Sequence, residues 1–453
     1  MTPPAAYLED ASGFRGHAER LAVPRTEAEL VELVCAASEA SAPITVAGAG
    51  TGVTGGRVAQ GGWIVSLEKF TRLEVRKGSA VAGAGVLLRD LHAAARASGQ
   101  FYPPDPTETA ASLGGSIATN ASGSRSFRYG ATRRHILSTR VTMMDGTART
   151  FRRGEAIDFD VPAIGVPPGT KHSAGYALAP GMDWVDLFAG SEGTLGIVTE
   201  VEVNLLPAPR ALLAGVVFLR DDAAAVDAVD AWRGIPGIRM LEYFDGPSLQ
   251  MLTQRFPDIP GHAGAAILFE QELVSADDLE IDAWEGRLEA AGSEASWFAM
   301  ADSDRERFRR FRHALPEMVN DIVRRDGFAK IGSDYSVPIE RNGEMLAYYR
   351  SRLDAEFPRR AVIFGHIGNA HLHANVLPSN EEQFDRARAL MVEFARHAVE
   401  LGGSVAAEHG LGKRKTHLLP LQYSAAEIEA MRAVKRRLDP QWLLGRGNLF
   451  PLP

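Results

Sequence analysis

Cysteine is nearly absent. The 453-residue chain has one, Cys35. A lone thiol closes no internal disulfide and holds no iron–sulfur cluster, so any such partner has to be a separate chain. Cys35 lies in the apolar run of residues 33–37 and reads as a core residue. Also missing is the run of about 18 apolar residues that a membrane helix needs. The opening MTPPAAYLEDASGF has neither a basic region nor an apolar one of the kind a leader peptide carries. A cytoplasmic protein is the expectation, with contact at the cytoplasmic membrane face left open. There is no basic excess either: Lys plus Arg is 49 against 57 for Asp plus Glu, a net charge of −8. That excludes a broad nucleic-acid footprint but leaves room for a local basic pocket. No internal repeat or low-complexity tract interrupts the chain.

What is present is ordinary globular composition, 45% hydrophobic and 23% charged, over a length that suggests two or three domains. Residues 21–67 read as strand, helix, strand, loop, strand. Thr26 is the expected N-cap of the helix, and Glu29, three residues on, completes a capping box. The loop is Gly48-Ala49-Gly50-Thr51-Gly52-Val53-Thr54-Gly55-Gly56. A dinucleotide fingerprint leads directly into a helix, whereas this loop leads into the strand-like Trp63-Ile64-Val65-Ser66, so it is not of that kind. Its glycines still let backbone N–H groups close on a diphosphate. A mobile turn is the alternative reading of the loop alone.

Residues 71–99 read as two strands and a helix running from Leu87 to Ala97. The stretch 103–123 then reads as a long loop of small residues with only Asp105 and Glu108 charged, suited to close contact with a flat ligand. Val141 to Phe151 gives strand, turn, strand. Residues 153–180 read as loop, and Gly190 to Thr199 as a turn entering a strand. The character changes after Leu206-Pro207-Ala208-Pro209, where a domain boundary is expected.

In the second half, His371, His373 and Asn375 alternate, so on a strand they share a face. His366 lies seven residues before His373, across a glycine-containing turn. Three histidines within eight residues, with Glu408-His409 downstream, form a donor set typical of zinc-like sites. A lone histidine would more often be a core residue, but a cluster of this kind is several-fold less often one. The run Arg305 to His313 reads as a helix with Phe308, Phe311 and Leu315 on one face. Most of its arginines are expected in solvent.

Three N-terminal stretches resemble the FAD domain of vanillyl-alcohol-oxidase-like flavoproteins: ITVAGAGTGVTGG, PPDPTETAASLGGSIATNASG with RYG following, and GSEGTLGIVTEVEVNLLP. The stretches around His366–Asn375 and Glu408-His409, and the ending from Asp439-Pro440 to Asn448, resemble the D-lactate, glycolate and D-2-hydroxyglutarate dehydrogenase branch. The resemblance implies an α+β protein. An FAD-binding domain would span residues 1–208, a mixed-sheet cap over the flavin 209–430, and a tail returning to the FAD domain 431–453. It implies FAD held by Gly48, Ala49, Gly50, Thr51, Gly52 and Gly55, by Pro104, Asp105, Gly114, Gly115, Thr119, Asn120, Gly123 and Gly130, by Glu192, Gly196, Ile197 and Val198, and by Asn448. Relatives with covalent flavin have a histidine where this chain has Thr51, so non-covalent FAD is expected.

The same resemblance makes His366, His373 and Glu408 the ligands of a divalent metal, with zinc the first expectation. His371 replaces an asparagine common in relatives and reads as a supporting group or an extra ligand. His409 is implied as the base that takes the hydroxyl proton, an imidazole being suited to that at neutral pH. Arg312 would clamp the substrate carboxylate, and Asn375 would bond the substrate. The expected activity is oxidation of a small 2-hydroxy acid, with electrons passed to an external quinone, cytochrome or electron-transfer flavoprotein, by a chain that can form a homodimer. Two departures concern relatives that take D-2-hydroxyglutarate: Pro316 stands where they have a threonine, and Gly332 where they have a lysine, with Lys330 displaced by two. This favours lactate- or glycolate-like acids, or bulkier apolar ones, unless Lys330 or His313 substitutes. A non-redox transferase like alkylglycerone-phosphate synthase, and a non-catalytic flavin subunit of a larger complex, are the competing readings.

Overall fold

A computed structural model describes residues 3–275 and 280–451. The first helix, Glu27–Glu39, starts where its cap predicts: Thr26 accepts from the Glu29 backbone N–H at 3.2 Å. The reciprocal bond goes one residue further back, Glu29 accepting from the Arg25 N–H at 2.7 Å. Leu30, Val34 and Ala37 form the buried stripe of this helix. Cys35, expected in the core, is half-buried beside it.

The first strands, Arg20–Ala22, Ile44–Ala47 and Trp63–Ser66, form a parallel sheet with Trp63–Ser66 in the centre. The glycine loop is the connection from Ile44–Ala47 to that central strand. The chain's tail lies beside this sheet, Leu444 bridging to Ile44 in parallel. A second, antiparallel sheet has the order Leu73–Arg76, Ser79–Gly83, Ile197–Asn204, Ile136–Thr142, Ala148–Arg152. Its central strand shows the two-residue period of a half-buried strand: Ile197, Thr199, Val201 and Val203 point inward, and the residues between them are partly exposed.

The stretch 103–123, which composition gives as loop, contains the six-residue helix Leu113–Ala118. Its two glycines and single turn and a half are too short to show a period, but Ser112 caps it by accepting from the Gly115 N–H at 3.3 Å.

Residues 211–376 supply a seven-stranded sheet in the order Ala295–Ala299, Ala211–Leu219, Ala265–Leu273, Ile238–Asp245, Ala361–His366, His371–Val376, Ile331–Gly332. Every ladder in it is antiparallel, narrower than the mixed sheet expected. Helices cover both faces. Phe308, Phe311 and Leu315 of the helix Asp302–Asp326 pack with Val216 and Phe244 on one side. Trp232, Tyr349 and Phe394 pack with Val217 and Tyr243 on the other. Two covered faces explain why Ile238–Asp245 is buried at every position and shows no alternation.

Candidate active site

A cavity of about 430 Å³ lies between the parallel sheet, the helix Leu113–Ala118 and the seven-stranded sheet. Glycine is required where its walls meet. A Cβ on Gly48 would come within 2.6 Å of Ser112 Oγ, and one on Gly114 within 2.7 Å of Ala84 Cβ. Ser112 Oγ also accepts from the Ala49 N–H at 3.4 Å, tying the glycine loop to the second turn.

Of the residues expected at FAD, Gly48, Ala49, Gly50, Thr51, Gly52, Gly114, Gly115, Thr119, Glu192, Gly196, Ile197 and Val198 line this cavity. The other seven do not line it. Gly55 donates to Asp10 Oδ2 at 2.9 Å. Pro104 is buried, and Asp105 lies 3.5 Å from Arg125. Asn120, in a left-handed turn (φ 49°), accepts from the Arg133 N–H at 2.9 Å. Gly123 sits so close to the Asp105 carbonyl that a Cβ would lie 2.0 Å from it. Gly130 ends the short helix Ser126–Tyr129 at φ 83°. Asn448, in the tail, donates to the Gly56 and Glu192 carbonyls at 3.0 and 2.9 Å and accepts from Lys413 Nζ at 2.8 Å. It thereby locks the glycine loop to the far wall.

Glu192 faces the cavity from a left-handed backbone (φ 51°). Its carboxylate accepts from the Leu411 and Gly412 N–H groups at 2.8 and 2.7 Å. Burial pushes it up to about 7, against the pull of those two N–H groups.

The strands Ala361–His366 and His371–Val376 form a hairpin in which His366 and His371 pair across the turn. That register brings His366, His371 and His373 together, and Glu408 joins them from the segment after the helix Glu381–Glu400, with one donor atom of each lying within 4.8 Å of all the others. A carboxylate and a backbone carbonyl behind the cluster fix which nitrogens face inward. His366 Nδ1 is 2.6 Å from Glu242 Oε1, and His373 Nδ1 is 3.0 Å from the Ser333 carbonyl. Both rings therefore present Nε2 to the cluster, the orientation that carboxylates and carbonyls impose on metal-binding histidines. Glu408 Oε2 lies 3.3 Å from His366 Nε2, while Oε1 accepts from Lys171 Nζ at 2.6 Å and Ser122 Oγ at 2.8 Å. Burial drives His373 well below the ordinary histidine range and His371 down to about 4, so both rings are neutral donors. Burial alone would raise Glu408, but His366 and Lys171 hold it ionised. Three imidazoles, one carboxylate and no exposed member make a donor set suited to a borderline cation.

His409 lines the same cavity with its side chain 37% exposed, the least buried of these groups. Its Nδ1 is 3.2 Å from Asp334 Oδ1, and its backbone N–H donates to Asp334 Oδ2 at 3.0 Å. Nε2 is left for the cavity. Asp334 also faces His371 Nε2 at 3.2 Å, a contact too poorly aligned to satisfy that buried nitrogen. Burial would raise Asp334, yet His409 and Lys415 hold it well below the carboxylate range.

Arg312 reaches the cavity from its helix. Nε donates to Glu242 Oε2 at 3.0 Å and Nη2 to Thr107 Oγ1 at 3.1 Å. Burial would raise Glu242, but His366 and Arg312 hold it down to about 2, so one carboxylate orients both a cluster histidine and the arginine. Asn375 is not on the wall. It accepts from Lys330 Nζ at 3.1 Å, and Lys330, displaced in sequence, lines the cavity in front of it.

Glu242, Asp334 and Lys171 are missed by sequence reasoning. For Glu242 a signal exists: it is an acidic residue inside the apolar strand IRMLEYFD. Asp334 and Lys171 lie in irregular segments that only the tertiary structure brings to the cluster.

Residues 208–449 match the family described as FAD linked oxidases, C-terminal domain, and residues 18–152 match the FAD binding domain family. The chain is 29% identical to the glycolate oxidase subunit GlcD of Bacillus subtilis, over 98% of this chain and 92% of that one. It is equally identical, over the same shares, to a D-lactate dehydrogenase of Anaerostipes hadrus. An uncharacterized FAD-linked oxidoreductase of Mycobacterium tuberculosis is 31% identical over 98% of this chain and 94% of its own. Among solved structures, an alkyldihydroxyacetonephosphate synthase superposes with a TM-score of 0.68 at 16% identity, covering 94% of this chain and 76% of that one, which speaks for the fold alone. With its matched segments lying on either side of a cavity walled by both, the chain belongs to the FAD-linked oxidase family.

Proposed function

We propose that the protein oxidises a small 2-hydroxy acid, of the lactate, glycolate or 2-hydroxyglutarate kind, to the 2-oxo acid. The carrying observation is that His409, backed by Asp334, the His366/His373/Glu408 donor set and Arg312 all face one cavity whose other wall is the glycine loop. The relatives named glycolate oxidase and D-lactate dehydrogenase support the substrate class.

FAD, when bound along Gly48–Ala49–Gly50–Thr51–Gly52 and Gly114–Gly115, supplies the hydride acceptor, its N5. It is held non-covalently, Thr51 offering no histidine for attachment. A divalent cation, zinc first, fits the donor set and supplies polarisation of the substrate hydroxyl, lowering its pKa. His371 would stand beside it as a supporting group or as a fourth donor.

The chain's own residues do the rest. Arg312 Nη1, uncommitted among the described residues, receives the substrate carboxylate. Asp334 holds the His409 tautomer so that Nε2 is free to accept the hydroxyl proton, and it stabilises the imidazolium that results. Lys330, held from behind by Asn375, closes the polar side of the cavity. Residues 1–208 bind FAD, 209–430 form the cap and 431–453 return to the first part. Electrons leave to an external quinone, cytochrome or electron-transfer flavoprotein.

The test is an anaerobic flavin spectrum against a panel of D- and L-2-hydroxy acids, before and after chelation. Bleaching that is lost with chelator and restored by metal is expected. Bound flavin that no hydroxy acid bleaches overturns this reading in favour of a non-redox transferase or an accessory flavin subunit.

A further inference from the structure

A second cavity, of about 320 Å³, adjoins the first, and Pro106, Thr107 and Arg312 line both. The Arg312–Thr107 hydrogen bond spans the shared wall. Six arginines line this second space (Arg89, Arg96, Arg125, Arg305, Arg309 and Arg312) against two carboxylates, Asp105 and Glu270. The carboxylates are already matched: Arg125 lies 3.5 Å from Asp105 and 3.7 Å from Glu270, and Arg239 lies 2.7 Å from Glu270. Carboxylates outside the lining pair with others: Arg305 and Arg309 share Asp302, Arg309 also meets Glu306 at 2.7 Å, Arg312 meets Glu242 at 3.0 Å, and Arg89 lies 3.7 Å from Asp90. Among the described residues the exposed Arg96 pairs with no carboxylate, and the buried Nε of Arg305 has no hydrogen-bond partner.

The positive excess does not reflect overall composition, since the chain's net charge is −8. It is local, and the apolar side chains of Met240, Leu268 and Phe308 share the walls with it. A cleft whose lining cations outnumber its lining anions concentrates counter-ions, and a buried guanidinium nitrogen without a partner, here Arg305 Nε, gains most from an anion.

We propose that this second cavity is a subsite for a second anionic group of the substrate, a carboxylate or a phosphate, carried on a chain that passes Arg312. The proposal rests on the first cavity taking a 2-hydroxy acid. It uses residues other than those that the family resemblance assigns to a second carboxylate, which are missing here at Pro316 and Gly332. Arg89 and Arg96 stand instead on the helix Leu88–Ala97, in the part of the chain that carries the glycine loop.

The test uses the FAD-loaded protein and unreactive anions. Glutarate, adipate and 4-phosphonobutyrate are titrated beside pentanoate and hexanoate, reading the perturbation of the flavin absorbance. The dianions are expected to bind at least about tenfold tighter than monoanions of the same chain length, the worth of one charge-assisted contact. Comparing the carboxylate with the phosphonate identifies which group the subsite prefers. In an Arg89→Ala/Arg96→Ala double variant the ratio falls to about threefold or less, while Arg388→Ala, at an exposed site on another helix, keeps it. Equal affinities in the wild type, or a ratio untouched by the double variant, overturn the subsite. The two readings fail separately. Short 2-hydroxy acids that bleach the flavin without any dianion advantage leave the oxidation standing and remove the subsite. A dianion advantage with no acid that bleaches keeps an anion site at the second cavity and removes its assignment to a 2-hydroxy acid substrate.

Discussion

Asp334 accepts from the backbone and the ring of His409, from the backbone of Glu408, and faces His371. One carboxylate thus sets the position of the proposed base and of its neighbour in the donor set. Asp334→Asn keeps the volume but offers an amide where an acceptor is needed, which turns the His409 ring or swaps its tautomer. Flavin reduction in stopped flow is expected to slow by about 10²-fold or more, with FAD content unchanged. A rate within a fewfold of wild type would remove Asp334 from the proton path. His371 is a sharper case, since the asparagine of relatives is available as a control. With four donors in the cluster, His371→Asn is expected to weaken metal retention about 10- to 100-fold in chelator competition. Unchanged retention would make His371 a supporting group only.

Glu192 gives a pH dependence with a definite sign. Unfolded, it ionises at an ordinary carboxylate value; folded, burial raises it to about 7. The folded state therefore binds the extra proton. The stability this contributes is complete below the ordinary value and is lost as pH rises through about 7, amounting to about 3 kcal/mol. Urea denaturation at pH 5 and pH 8 checks it: Glu192→Gln should lack this share of the difference. The histidine pattern was readable because ligand chemistry confines it to a few residue types at strand spacing. Asp334 and Lys171 were not, because an acid or a lysine in an irregular segment looks the same in sequence whether it faces water or a buried histidine.

At the scale of elements, the junction between the last long helix, Ala425–Leu438, and the tail depends on one buried ion pair. Lys435 bonds Asp439, the Thr194 carbonyl at 2.7 Å and the Leu444 carbonyl at 2.8 Å. Asp439 in turn accepts from the Leu444 N–H at 2.7 Å. Both side chains are 1% exposed. Lys435→Met leaves a carboxylate buried without its cation and should cost about 3–5 kcal/mol in denaturant unfolding. The joint variant Lys435→Met/Asp439→Leu should recover part of it, and no recovery would mean that the backbone contacts, not the charge, carry the junction. Elements with a strong period or cap were legible from sequence: the first helix with Thr26, the alternating strand Ile197–Asn204, the hairpin around His366 and His373. The helix Leu113–Ala118 was not, being shorter than the window in which a period can be seen. The all-antiparallel order of the large sheet was not either, because strands buried on both faces lose the alternation that separates one arrangement from another.

Across the whole molecule, the cavity is assembled from parts far apart in the chain, and several of its wall contacts join them. Asn448 ties the tail to the glycine loop and to Glu192, and Glu192 holds the Leu411–Gly412 backbone just after His409. The FAD wall and the donor-set wall are therefore not independent bodies. A ligand that fills the space between them should stabilise both, because it binds the assembled state and not its separated parts. Adding FAD to the stripped protein is expected to raise the unfolding temperature of the entire chain in one transition. The gain should grow with the logarithm of free FAD, about 2.7 kcal/mol at a hundredfold excess over the dissociation constant. Asn448→Ala should reduce that gain, although Asn448 does not line the cavity, because the contacts it loses are those that hold the glycine loop against Glu192. Two separate transitions, only one of them moved by FAD, would show that the halves fold and bind alone. The wall contacts around Asn448 would then be a consequence of binding and not a condition for it.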